Sequence, residues 1–428
     1  MLPAHLEAAC ADAFAKVTRD RLAQVLARLV DTASPTGEEK TLACDIVALM
    51  RESGIEAQEQ PVQGQQSNAI GAFGGKAGPS LLLYAPIDTV TSNNAAEDLP
   101  WAGDTLRQHM RAKAWREGDI VYGLGAQNPK GHAACILVAA EALKAADAPL
   151  AGELRLGFGA GGMPTDSRPG FPPGTGHGVG CDHMIRASKP DYAVIAKTHW
   201  FISWEEVGLA WYEVRVKGPM TYVGSRHLIA YVNAIAGAAQ VVERLEAWFP
   251  EYAEAHRSGL VAPQGIVAYV QGGVERTNAF TPSECRIRFD LRLSPRTSPE
   301  EADKAVDGIL REIALDLNLD LDWRRTLAIP GTTTSPDNWI IRAGIAAWES
   351  VAGKKHEPIL GLSGATDANI LRAHGVPTAR TGLPKAPIEG YDFQLGMNAA
   401  YLPYLEDLTK VLIRIALMTC NSGGEGRA

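Results

Sequence analysis

The sequence predicts an α/β fold in which a mixed sheet flanked by helices is interrupted by an inserted α+β unit, and three observations carry that reading. Short apolar runs bounded by Gly, Pro and Asp alternate with segments whose apolar residues recur every three or four positions. Around Glu206 this pattern gives way to longer alternating runs, and from Asn338 it resumes. The chain has 428 residues, 46% of them hydrophobic and 21% charged, enough to bury a large core in two domains.

Taken in order, apolar residues from Ala8 to Met50 keep helical spacing, broken by "DTASPTGEE". There Pro35 and Gly37 make a turn and the acidic pair suits a helix start, so two helices are expected. "NAIGAFGG", "SLLLYAPIDTV", "ELRLGFGAGG" and "DYAVIAKTHW" read as strands, with the helix "GHAACILVAAEALKAA" between the second and third. In the middle unit "LAWYEVRVKG", "GIVAYVQGG" and "CRIRFDLRLSP" are strands, while "AYVNAIAGAAQVVERLEAWF" and "SPEEADKAVDGILREIALDL" are helices. The closing part runs through "HEPILGLSGATDANILRAHGVPTARTG" to a last helix, "YLPYLEDLTKVLIRIALM". The expected domains are 1–206 and 329–428 for the main body and 207–328 for the insert, with a disordered tail over 421–428. There is no internal repeat and no low-complexity tract.

The formal net charge of -8 argues against a nucleic-acid or anionic-membrane surface and leaves small molecules as the expected partners. Six cysteines, Cys10, Cys44, Cys135, Cys181, Cys285 and Cys420, lie scattered without paired spacing, which suggests neither a disulfide framework nor a zinc ribbon. The start "MLPAHLEAACADAFAKVTRDRL" has charges at helical spacing, and no stretch of about 20 apolar residues occurs. A cytoplasmic protein without signal peptide or membrane span is expected.

The order of parts, with "LLLYAPIDTV", "YGLGAQNPKGHAA", "VKGPMTY", "GGVERTNAFTPSECRIRFDLRLSP" and "GLSGATDANILRAHGVPTA", resembles the dizinc aminoacylase, carboxypeptidase and acetylornithine deacetylase family over nearly the whole chain. The resemblance implies a catalytic α/β domain interrupted by a lid domain that often makes the dimer contact, and hydrolysis of amide or carbamoyl bonds in small acids. It also exposes departures. Pro86 stands where the family's strand-end motif has a zinc-binding His, two residues before Asp88. Asn128, followed by Lys130 and Gly131, occupies the place of a metal-bridging Asp. Gly161 and Gly162 replace two glutamates, Lys197 an acidic ligand, and no His occurs between Asp392 and Met397. Because a dizinc cluster and its crowded carboxylates balance one another, losing the acidic groups together and gaining a lysine is consistent with a pocket that works without metal.

The remaining candidates each carry two readings. Asp88 is a base or the partner of a lysine, or else a loop Asp capping its own turn. Lys197 sits at the end of a buried strand, poised in the pocket or paired at its rim. His199, two residues on, would share its face if the strand continued, giving a Lys-His pair, or is a structural imidazole. Lys130 is a ligand contact or a solvent-pointing residue at a helix start, and His132 reads best as a first-turn residue. His177, Cys181, Asp182 and His183 raise the thought of a relocated zinc site, but their spacing matches no known pattern, and nothing in the sequence puts a base beside Cys181. In the lid, the resemblance places Asn278 and Arg292 on the substrate carboxylate, which suits an Arg fork, and Tyr222 where a His stabilises the oxyanion from the other subunit. Asp367 in "GLSGATD" touches the ligand or closes its loop.

Two functions of different class follow. The first is a metal-independent hydrolase of an amide, ureido or cyclic amide C-N bond in a small carboxylate, with no cofactor, acting as a homodimer. In it Lys197 replaces the metal's electrostatic role, Asp88 or His199 moves protons, and Asn128, Lys130, Arg292, Asn278 and Asp367 bind substrate. The second is a non-catalytic dimeric relative that binds a small acid.

Overall fold

The computed structural model describes residues 2–99 and 101–423, so most of the tail expected to be disordered, 424–428, lies outside the described residues. The first 50 residues form three helices where two were expected: α1 (Ala4–Lys16), α2 (Arg19–Asp31) and α3 (Lys40–Glu52). The unforeseen break falls at Val17, which is extended, and at Thr18, whose side chain accepts the Arg21 N–H and so starts a new helix. An unread hairpin strand follows, β1 (Glu56–Gln63), paired antiparallel with β2 (Gln66–Gly74). Then come β3 (Leu81–Pro86), α4 (Lys130–Ala145), β4 (Glu153–Gly159), α5 (Val179–Ala187) and β5 (Tyr192–Ala196). Strands β3 and β5 stop sooner than the apolar runs suggested.

The chain divides into two compact units, one of residues 1–204, 334–358 and 366–428, the other of 205–333 and 359–365. The second unit holds β6 (Gly208–Lys217), α6 (Ala234–Ala255), β7 (Gly265–Gly272), β8 (Glu284–Leu293), α7 (Pro299–Leu317) and β9 (Asp320–Ile329). Its antiparallel sheet runs β7-β8-β6-β9, and alternate residues such as Tyr212, Ile287 and Phe289 meet Leu245 and Leu310 of the two helices. Helix α7 begins with a full capping box between Ser298 and Glu301 and with Pro299 in its first turn.

The first unit closes with α8 (Trp339–Ala352), α9 (Ala368–Ala373), β10 (Thr378–Thr381) and α10 (Leu402–Cys420). Its sheet has the order β1-β2-β4-β3-β5-β10, with β3 parallel to β4 and β5, β10 parallel to β5, and β2 antiparallel to β4. Side-chain alternation along β3 decides which layer each residue joins. Leu81, Leu83 and Ala85 pack with α4 and α10, while Leu82 and Tyr84 pack with α5 and α9. Since the chain passes from β3 to β4 on one side and then to β5 on the other, the carboxyl end of β3 is a topological switch point, the usual place for a ligand in such a sheet. No helix among the described residues is long and apolar enough to cross a membrane.

Candidate active site

Pairing in register brings four strand ends to one edge. Pro86 lies opposite Gly159, and Ala196 opposite Thr381, so Asp88, the loop 160–163, Lys197 and Leu383 all emerge together. Pro86 is tolerated because it is the last residue of its strand, and Ile87 resumes the bonding to the Gly159 carbonyl.

Asp88 is fully buried and accepts three hydrogen bonds: from Gly162 N at 2.8 Å, Met163 N at 3.0 Å and Thr36 Oγ1 at 2.7 Å. It therefore ties the loop after β4 to the loop after α2, a wider role than capping its own turn. Beside it stands Glu39, expected from the sequence only as part of a helix start. Glu39 Oε1 accepts from Gly161 N at 2.9 Å and Gly37 N at 3.1 Å, and Oε2 is buried with no hydrogen-bond partner. Burial, then the neighbouring Asp88 carboxylate, push the Glu39 pKa well above the usual carboxylate range. An acidic residue at a helix start gives no sign in sequence that it turns inward.

The two glycines are set by close approach. Gly161 has φ +66°, and a Cβ there would stand 2.2 Å from the Thr175 carbonyl oxygen; at Gly162 it would stand 2.3 Å from Pro86 Cβ. Asn128 donates its backbone N–H to Met397 O and its side-chain amide to Met397 Sδ at 3.4 Å. Its Oδ1 is buried without a partner.

Lys130 corrects the expectation that it contacts ligand or points to solvent. It is wholly buried, and Nζ donates to the Thr32 carbonyl at 2.7 Å, because the first turn of α4 faces the end of α2. Burial pulls its pKa from 10.5 down to about 7. The unfolded chain keeps this proton to about 10.5 and the folded chain releases it near 7, so the unfolded state binds more protons in that window and stability rises with pH across it. Lys130→Met is expected to be more stable than the wild type by roughly 1–3 kcal/mol near pH 6 and to lose the advantage by about pH 10, where only the bond to Thr32 is missing. Urea melts at the two pH values check this, and a constant difference would mean that the lysine is charged throughout.

Lys197 is 9% exposed just beyond β5, with its backbone N–H on Thr381 O. His132, buried in α4, accepts the Leu383 N–H at Nε2 and is neutral: burial first, then the Lys197 charge, lower its pKa to about 3. His199 does not share a strand face with Lys197, since β5 ends at Ala196 and His199 has φ +82°. Its Nδ1 is buried without a partner, and burial, then Arg380 and Lys385, lower its pKa. This side of the edge is thus rich in cations. Asp367 accepts the Tyr84 hydroxyl at 2.6 Å, a contact that anchors its loop under β3.

In the second unit, Arg292 Nε pairs with Asp290 at 2.8 Å, and Asp290 also accepts from Trp211. Asn278 is exposed in the turn before β8, and Tyr222 stacks obliquely on Phe280 at that same end, ring centroids 5.3 Å apart. Arg292 lies at the other end of β8, eight residues from Glu284, or about 27 Å along a strand. The expectation that one lid brings Asn278 and Arg292 to one carboxylate is corrected by that separation.

The four-residue cluster near His177 disperses. Cys181 faces the core from α5, where burial raises its thiol pKa; Asp182 pairs with Arg186 and His374; and His183 is exposed. Among the described residues no group of three or more His, Cys, Asp or Glu could hold a metal ion. A cavity of about 840 Å³ in the first unit is lined by Glu153, Arg155 and Leu82 at the amino-terminal halves of the strands, away from the switch point. A smaller one, about 170 Å³, is lined by Thr89, Asn128 and Met163, next in the chain to Asp88 and its partner loop.

Residues 82–394 match the model of a family described as Peptidase family M20/M25/M40. Among solved structures, human carnosine dipeptidase 1 superposes with a TM-score of 0.74 at 15% identity, covering 98% of this chain and 100% of the other. An amidase of the hydantoinase/carbamoylase family from Burkholderia multivorans gives 0.62 at 14%, covering 95% and 98%. A dinuclear metal binding M20 peptidase from Bacillus subtilis gives 0.57 at 15%, covering 93% and 97%. At these identities the likeness is one of fold.

Proposed function

The chain belongs to peptidase family M20/M25/M40, and from that premise we propose that it hydrolyses a C-N bond of an amide, ureido or cyclic amide group in a small carboxylate without a metal. Membership suggests hydrolysis of amide bonds; the metal-free chemistry is our reading of the residues at the switch point. A dinuclear centre, which the resemblance implies, does not fit them. Pro86, Gly161 and Gly162 offer no donor, Asn128 offers a neutral amide, and Lys197 brings a positive charge. The observation that carries the proposal is the contact between Pro86 and Gly162, which fills the place of two ligands, beside an edge rich in cations.

In this reading water attacks the carbonyl carbon, the oxyanion forms facing Lys197, and collapse breaks the C-N bond as the amine takes a proton. His199 is the better base, being neutral with an unpartnered Nδ1, whereas Asp88 already accepts three bonds. The resemblance supports a role for Arg292 on the substrate carboxylate, with Asn278 and Tyr222 supplied from a second copy. The exposed apolar residues of the second unit, including Met220, Val223 and Leu228 in the segment after β6 and Val270 on the edge strand β7, support a homodimer. The same three accepted bonds at Asp88 favour a second reading, a cleft that only binds a small acid.

One preparation tests these points. Light scattering should give a dimer, elemental analysis should find no stoichiometric zinc, manganese or cobalt, and N-acyl and N-carbamoyl amino acids should be hydrolysed in the presence of chelator. Two metals per chain, lost together with activity on chelation, would sink the metal-free reading; binding of these acids without turnover would leave the second one.

A further inference from the structure

The small cavity beside Asp88 joins features that the proposed chemistry does not use. Met110, Met163 and Met397 form its wall, Trp101 and Phe393 stand exposed at its rim, and Asn128 lies in its floor. Thioethers and indole make an apolar lining that adapts to shape. Against it the amide oxygen of Asn128 is an anomaly. It is buried with no donor, while the amide nitrogen is turned to the Met397 sulfur. An unpaired buried acceptor costs stability unless something supplies the N–H.

We infer that this cavity is a specificity pocket for a compact apolar group about the size of a phenyl ring, carried on the substrate next to an N–H that the Asn128 side chain receives. The inference rests on the hydrolase reading of the same strand edge and names its substrate class: small acids whose acylamino or ureido group bears a phenyl-sized or branched aliphatic substituent. Volume sets the limit. At about 170 Å³ the cavity is close to the roughly 150 Å³ known to take benzene in an engineered core, so a phenyl ring fills it and a fused bicycle would project past its open rim at Trp101 and Phe393. Asp88 fixes the Met163 backbone and so one wall of the pocket, which couples recognition to the switch point.

Benzamide, toluene and 2-naphthamide serve as probes, their binding read by ligand-observed NMR titration of the full-length protein. Benzamide should bind at least tenfold more tightly than 2-naphthamide to the wild type, a comparison that needs no variant. Asn128→Leu should weaken benzamide about tenfold and leave toluene unchanged, while Ala102→Leu, which fills the cavity, should weaken both. Equal affinity for benzamide and 2-naphthamide, or benzamide binding that Ala102→Leu does not alter, would overturn the pocket. Turnover of N-acyl acids without these binding differences would reject the pocket and keep the hydrolase reading. Benzamide binding as described, with no C-N hydrolysis of any N-acyl acid, would keep the pocket and reject that reading.

Discussion

Lys197→Met is expected to lower turnover roughly a hundredfold or more while the protein stays folded and still binds the small acid, a loss of about 3 kcal/mol in transition-state stabilisation. The lysine stands at the carboxyl end of a central strand, almost fully buried, where a fixed positive charge acts through a low dielectric. Methionine keeps its length and removes only the charge. Its cost should fall on turnover more than on the Michaelis constant, since the charge matters where the oxyanion develops. The acid limb of the pH profile separates this role from proton transfer. Burial and the Arg380 and Lys385 charges hold the His199 pKa below its usual 6.5, so the basic form persists to lower pH and activity should fall only below that value. That limb should survive in Lys197→Met and vanish in His199→Asn. Undiminished turnover in Lys197→Met would refute the electrostatic role, and an adduct trapped by borohydride would make the lysine a nucleophile instead.

The elements were legible where periodicity was strong. The strand at Leu81, the helix at Lys130 and the alternation of "CRIRFDLRLSP" all stand close to where the pattern put them, because one buried face leaves a period that sequence records. The amphipathic stretch over residues 179–187 was missed, since its glycines and polar residues read as a loop. Site residues were legible only as types. That Lys130 turns inward to Thr32, that Glu39 reaches the Gly161 amide, and that Arg292 and Asn278 lie at opposite ends of one strand are facts of tertiary placement. No local spacing encodes them. His199 failed for a local reason: strand alternation was extended past Ala196, where a positive φ redirects the side chain.

Gly162→Glu is expected to destabilise the first unit by about 3 kcal/mol or more and to recover no metal, even when combined with Pro86→His. An added Cβ at Gly162 would stand 2.3 Å from Pro86 Cβ and 3.2 Å from Asp367 Oδ2, and the first of these atoms belongs to the strand itself. Histidine at position 86 would keep that Cβ, so the double variant relieves none of the overlap. The backbone of the loop would have to withdraw, stretching the Gly162 and Met163 bonds to Asp88 and the Gly161 bond to Glu39. Overpacking alone costs roughly 1–3 kcal/mol, and a carboxylate pressed against Asp367 adds like-charge repulsion. Urea unfolding measures the loss, and zinc titration calorimetry on the folded fraction measures the metal. Stoichiometric zinc binding by the double variant would show that the loop yields easily and that the site still has the shape of a metal centre. A stability close to the wild type would place the Gly162 backbone farther from β3 than the contact requires, and Pro86 and Gly162 would then not close the site together.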